Sequence, residues 1–257
     1  MLKFDGDLSF LQQRMASSSA GFARRQAMMS ALNIQAGYSV LDIGCGGGHL
    51  VEELAMAVGP DGYVFGLDPS DTQILSAKKR CRDLDNTTFF CCLADEIDLP
   101  KASCDAITST QTLEYIQNVD DALSAIVPLQ KPRSKFANVS ILWDHFKFHG
   151  AEQAVNDIIH DAFKAHCFHQ MLPMELPGKL TKLGYKNIKT TSLAFVITNR
   201  HENSPAKYAE TVMATFALSQ GISEDIVIKW KEQLHQAELN GSFGFTSFPV
   251  LTEGVLS

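Results

Sequence analysis

Val40-Leu41-Asp42-Ile43-Gly44-Cys45-Gly46-Gly47-Gly48-His49 decides how this chain folds. An apolar strand runs into a turn with four glycines in five positions, and an amphipathic stretch carrying Leu50, Leu54 and Val58 follows. Glycine there lets the backbone turn sharply and lets a ligand come close with no Cβ in the way. The helix beyond the turn would present its unsatisfied N-terminal donors to an anion. A dinucleotide fingerprint, G-x-G-x-x-G, needs its third glycine for close helix–strand packing. Counted from Gly44, that position is His49, which disfavours a nicotinamide-dependent oxidoreductase. The spacing D-x-G-x-G-x-G fits instead, as Asp42, Gly44, Gly46 and Gly48.

Outward from the turn, strands and helices alternate. Strands are expected at 38–43, 63–67, 87–93, 104–109 and 136–143, then less regularly at 187–197 and 243–252. Helices are expected over 8–33 (broken near Ala16–Gly21), after Gly48, from Pro69 to about Leu84, over 119–130, and at 151–169, from Ser204, and from Ser223 to Asn240. Such alternation predicts an α/β fold, a doubly wound and mostly parallel seven-stranded sheet with right-handed crossovers. Ligands bind such sheets beyond the carboxyl ends of the strands, where Gly44, Asp68, Asp95, Ser109 and Asp144 should gather. The expected organisation is a single domain over 1–257. It comprises an N-terminal helical arm (1–37), a core (38–145), and helical cap elements at 146–182 and 204–240.

Composition narrows the class. The 257 residues carry a formal net charge of -7, and the longest basic run is Lys78-Lys79-Arg80, so nucleic acid is not an expected partner. No apolar run approaches the ~20 residues of a membrane span. The N-terminus, with Asp5 and Asp7, does not read as a signal peptide, and six cysteines without paired metal spacing read as reduced thiols. A cytoplasmic enzyme is expected.

The glycine turn resembles that of the class I S-adenosylmethionine (SAM) dependent methyltransferases, and the likeness extends to the small-molecule branch that includes ubiquinone and menaquinone biosynthesis. It rests on Asp42, Gly44, Gly46 and Gly48, on Asp105-Ala106-Ile107-Thr108-Ser109 followed by Leu113-Glu114-Tyr115, on Trp143-Asp144, and on Leu183-Gly184-Tyr185. The resemblance implies a SAM site (with S-adenosylhomocysteine, SAH, as product) built from Gly44, Cys45, Gly46 and His49. It adds Asp68, Pro69 and Ser70 at the ribose, Ala94, Asp95 and Glu96 at the adenine, and Thr110 and Gln111 under the methionine. Two positions depart from the family pattern. Its Lys-Pro-Gly-Gly turn reads Lys131-Pro132-Arg133-Ser134, and its histidine after Leu-Glu is Tyr115.

The implied chemistry is in-line attack on the sulfonium methyl, for which the protein supplies alignment and a dry pocket. A hydroxyl or amine acceptor also calls for a proton acceptor. His145 and His149, at the end of strand five, are the candidates, with Tyr115 as a positioning donor. No metal site is expected, because His145/His149 and His166/His169 lack a shared face and a convergent carboxylate. Cys91 and Cys92 point to opposite faces of a strand and so do not form an arsenite-type thiol pair. Phe146, Phe148, Phe163, Phe168, Phe243 and Phe245, with Met171 and Met174, suit an apolar or aromatic small-molecule acceptor. O- or N-methylation is favoured over C-methylation. The alternatives are a catalytically inactive SAM-binding subunit and, below it, a C- or arsenite methyltransferase.

Overall fold

The computed structural model describes residues 13–202 and 204–257. The first twelve positions of the expected arm lie outside the described residues; residues 13–16 are helical, and helix α1 (Ser19–Leu32) follows them after a break. The glycine-turn unit forms as the sequence predicts, with β1 (Ser39–Ile43) entering the turn and α2 (His49–Val58) leaving it. β2 (Tyr63–Leu67), α3 (Asp71–Arg80), β3 (Thr87–Phe90), β4 (Cys104–Thr110), α4 (Val119–Ile126) and β5 (Gln130–Ile141) complete the alternating half. The main sheet has seven strands. Its strand at 104–110 lies beside β1, in parallel register that sets Asp42 against Gly66 on one side and Thr108 on the other. Connections leave in opposite directions from β1 and β4, so a crevice opens between the carboxyl ends of these two strands.

The second half differs from expectation in three places. The apolar stretch at 187–197 is not one strand. It divides into β7 (Tyr185–Ser192) in the main sheet and β8 (Phe195–Ile197) in a separate sheet. The stretch at 243–252 divides likewise into β9 (Gly244–Ser247) and β10 (Pro249–Leu256). The main sheet therefore runs in the order β3-β2-β1-β4-β5-β10-β7, with β10 antiparallel to both neighbours. The small sheet runs β6-β9-β8, where β6 (Lys147–His149) is a strand the sequence did not announce. Alternation alone cannot say that one strand changes sheet midway.

The second difference concerns strand five, which begins at Gln130 and absorbs the expected turn at Lys131–Ser134 as a bulge, with Arg133 at φ 66°. It stops at Ile141, and Trp143–His145 form a short 3-10 turn. The third concerns residues 172–182, expected in the cap. They form α6 (Leu172–Lys182), and its Leu172, Leu176 and Leu180 are buried with Leu123 and Phe136 on the main sheet.

The cap proper consists of the small sheet with α5 (Gln153–Phe163), α7 (Pro205–Ser219) and α8 (Glu224–Leu239). Trp230 is fully buried there and donates its indole N–H to Asn156 Oδ1 at 2.8 Å, while Asn156 Nδ2 donates to Phe148 O at 3.2 Å. Phe148 packs on Phe245 at 4.6 Å between ring centres, joining helices to sheet. The chain passes between core and cap repeatedly: out after β5, back into α6, out after β7, and back through Phe248 into β10.

Ser204 opens α7 as expected, its hydroxyl accepting from Lys207 N at 3.1 Å with Pro205 at the first helical position. Ser204→Ala should lower stability by about 1 kcal/mol, the usual worth of an N-cap. Thermal melting checks this, with no change expected in ligand affinity.

Candidate active site

One cavity of about 270 Å³ begins at the glycine turn and ends against the cap. Its polar end is lined by Asp42, Gly44, Gly46, His49, Asp68 and Pro69. Gly44 has φ +69°, and a Cβ there would sit 2.0 Å from Thr112 Oγ1, so that position admits only glycine. The main-chain donors of the turn are less available than the sequence suggests. Cys45 N–H donates to Leu67 O at 2.8 Å, Gly46 N–H to Asp68 Oδ2 at 3.1 Å, and Gly48 N–H to Cys45 O at 3.0 Å. The glycines thus supply space more than hydrogen bonds.

Asp68 closes β2 and braces this turn. Its Oδ1 accepts from Ser70 N–H at 2.9 Å while Oδ2 holds Gly46. Burial raises its pKa, and those two N–H bonds work against the rise. A carboxylate has about four lone-pair sites, so two remain for a diol. Asp42 is buried in the same end, with Oδ1 lacking a hydrogen-bond partner. Burial, and secondarily Asp68, push its pKa well above the usual carboxylate range. An unpartnered buried acceptor of this kind fits a cationic or amino group.

The remaining expected cofactor residues separate into groups. Cys45 lines the cavity as a buried thiol whose pKa burial raises. His49, half-buried at the start of α2, meets Arg80 Nη2 at 3.0 Å through Nε2. A guanidinium only donates, so that nitrogen accepts and the ring is neutral. Burial, followed by Arg80, lowers its pKa to about 4. Ser70 caps α3 by accepting from Gln73 N. Ala94 is buried against the core, and Asp95 and Glu96 are exposed on the loop after β3, so none of the three lines the cavity. Glu96 accepts from Leu93 N–H at 2.9 Å within that loop. Thr110 and Gln111 line the wall beyond β4. Gln111 is held at φ 51°, its N–H donating to Val139 O at 2.7 Å, a left-handed conformation rare outside glycine and frequent at functional sites.

The far end is aromatic. Tyr115, Trp143, Phe146, Phe163, Phe195 and Phe245 line it, with Trp143 and Phe146 centred 5.0 Å apart and Phe146 edge-on to Phe245 at 4.8 Å. Of the three expected chemical residues, only Tyr115 reaches this cavity, and burial raises its pKa well above the usual phenol value. His145 and His149 do not reach it. His145 is exposed in the 3-10 turn with its ring 5.6 Å from Phe248, and His149 is exposed on β6. The early end of β5 turns their backbone outward and delivers Trp143 inward. His145→Ala should therefore leave kcat within about twofold of the parent enzyme. A tenfold loss with unchanged SAM affinity would restore this histidine to the chemistry.

Residues that sequence reasoning missed come from outside the alternating half. Arg24 on α1 is buried in the wall, donating to Ala20 O at 3.1 Å and to Gln111 Oε1. Tyr208, Ala209 and Val212 reach in from α7. A basic residue in an arm helix of low amphipathicity carries no motif, and only the tertiary fold could reveal it. Cys91 departs from expectation as well. β3 stops at Phe90, and Cys91 is exposed with its thiol 3.0 Å from Asp71 Oδ1. All six cysteines are free. Among the described residues no three His, Cys, Asp or Glu side chains gather as a metal site. No helix there is long and apolar enough to cross a membrane.

Comparison with known proteins gives three findings. A family profile described as a methyltransferase domain matches residues 34–209. The ubiquinone/menaquinone biosynthesis C-methyltransferase of Burkholderia cenocepacia is 30% identical over 134 residues, covering 50% of this chain and 55% of that protein. The chain thus spans about half the length of the curated relatives it matches. Among solved structures, the fold is shared with YcgJ of Bacillus subtilis, at TM-score 0.62 and 17% identity over 91% of this chain and 98% of that one. It is shared too with phosphoethanolamine N-methyltransferase 2 of Haemonchus contortus, at TM-score 0.63 and 19% identity over 97% and 56%.

Proposed function

The chain belongs to the class I SAM-dependent methyltransferase family, and on that premise we propose that it transfers the methyl group of SAM to a small acceptor seated against the aromatic wall. The observation that carries this is the continuity of one cavity from Gly44, Asp42 and Asp68 to Trp143, Phe146 and Phe245. Gly44 lets Thr112 pack directly against the turn, whose backbone stays at the cavity edge where the nucleoside would lie. Asp68 has acceptor sites to spare for the ribose hydroxyls, and the unpartnered Asp42 oxygen suits the amino group. Asp95 remains the proposed adenine partner, from the exposed rim of the same sheet edge.

When bound, SAM supplies an electrophilic methyl on a charged sulfur. The chain's own residues align and dehydrate. The aromatic wall excludes water, and Tyr115 orients the acceptor. Six aromatic side chains at this end support an apolar or aromatic acceptor over a strongly polar one. Six free thiols suit a reducing compartment such as the cytoplasm.

Calorimetric titration with SAH tests the reading. SAH is expected to bind and NAD to give no heat, and methyl-labelled SAM should pass its label to an aromatic acceptor. No uptake of SAH would overturn the proposal. SAH binding without label transfer to any acceptor would favour the inactive subunit.

A further inference from the structure

Arg24 stands out among the cavity's residues because a buried guanidinium is normally matched by a carboxylate. It makes no ion pair among the described residues, although it is 7% exposed. Nε donates to Ala20 O and Nη1 to Gln111 Oε1, both neutral acceptors, and Nη2 has no hydrogen-bond partner among the described residues. Its neighbour Arg25 is already paired, at 2.6 Å, with Glu53. Glu114 is the buried acid whose charge acts on Arg24, but its carboxylate is held by Ser140 Oγ at 2.8 Å and Ile141 N at 3.4 Å. Across the cavity from α7 comes Tyr208, whose hydroxyl likewise has no hydrogen-bond partner among the described residues. Two unspent donors, one cationic, thus line the same cavity, close enough for the charge of one to act on the other.

Resting on the methyl-transfer reading above, we propose that Arg24 and Tyr208 form an oxyanion subsite, and that the acceptor is an apolar or aromatic body bearing an acidic oxygen, a carboxylic acid or acidic phenol, bound as its anion. Burial, the largest influence, lowers the Arg24 pKa to about 10, so the guanidinium keeps its charge at neutral pH. An anionic acceptor requires no base at the site, which accords with His145 and His149 lying outside it. The acidic proton leaves to solvent before binding. The oxyanion's lone pair then forms the new O–CH3 bond while the C–S bond breaks and its electron pair returns to sulfur. A quaternary or primary ammonium acceptor, which an aromatic cage alone would welcome, is disfavoured by the guanidinium beside it.

The test uses the full chain and four probes, titrated calorimetrically with and without SAH: 2-naphthoate, 4-nitrophenol above its pKa, 2-naphthamide and 2-naphthylmethylammonium. The carboxylate should bind tenfold or more tighter than the amide, the expected worth of a charge-assisted hydrogen bond, and the ammonium weakest. Naphthoate against nitrophenolate distinguishes a carboxylate from a phenolate acceptor. Arg24→Gln should abolish the anion preference, Tyr208→Phe should reduce it severalfold, and Arg24→Lys should keep part of it. All three should leave SAH affinity within twofold. Should Arg24→Gln fail to fold, Tyr208→Phe and Arg24→Lys carry the same readout. Equal binding of naphthoate and naphthamide would overturn the subsite. So would a loss of SAH affinity in Arg24→Gln that is absent with 5′-methylthioadenosine, since it would give the guanidinium to the methionyl carboxylate instead. If SAH fails to bind while naphthoate keeps its preference, the methyl-transfer reading falls and the anion site stands.

Discussion

Asp68→Ala should weaken SAH binding at least tenfold, and Asp68→Asn should recover little of it. The carboxylate does two jobs at once. It braces the glycine turn through Gly46 N–H and the start of α3 through Ser70 N–H, and it retains acceptor capacity toward the cavity. A charge-assisted hydrogen bond to a ligand is worth about 1.5–3 kcal/mol, or roughly 10- to 150-fold in affinity. Loosening of the turn adds to that loss. An asparagine side chain keeps one acceptor oxygen and replaces the other with a donor, which would confront either N–H of the brace. Calorimetry with SAH reads the effect directly, and unchanged affinity in Asp68→Ala would remove the ribose assignment.

Glu114→Gln should gain stability relative to wild type as pH rises from about 4.5 to 7. Glu114 is fully buried, and burial raises its pKa from 4.5 to about 7, against the opposing hydrogen bonds of its own turn, Ser140 and Ile141. Its folded pKa lies above the unfolded one. The associated stability is therefore complete below the unfolded value and is lost as pH rises through the folded value. The difference corresponds to about 3 kcal/mol between the two ends of that window. The amide in Glu114→Gln would keep an acceptor for Ser140 with no charge to bury, so the variant's advantage over wild type should appear above pH 7 and vanish near pH 4. Thermal melts across pH 4–8 decide it: parallel curves for the two proteins would mean that Glu114 stays uncharged or is solvated.

The half of the molecule built around Asp42–His49 could be read from residue order because each signal there is local. Gly44 must be glycine for reasons of φ and of space, Asp68 must end its strand, and Pro69-Ser70 must open a helix. These demands fall within a few residues of one another and survive translation into sequence pattern. The site's other half depends on packing between distant segments. Nothing in Ser19–Leu32 signals that Arg24 meets Gln111, 87 positions away. Nor does alternation in 243–252 reveal that Ser247 belongs to one sheet and Pro249 to another. His145 stands outside the cavity for a related reason. Strand five stops two residues short of Trp143, so the backbone turns and exchanges which side chains face inward.

The four passages of the chain between its two layers have an engineering consequence. Residues proposed to bind the acceptor, such as Trp143, Phe195, Tyr208 and Phe245, lie on segments separately stitched into the same body, and the last stitch delivers β10 between β5 and β7 of the main sheet. A single cut from the end of β5 to the start of β10 would thus also remove α6 and β7 and leave β10 as a raw edge. Retargeting the enzyme is a matter of point changes within the wall, and chimeras joined at a single junction should fail to fold.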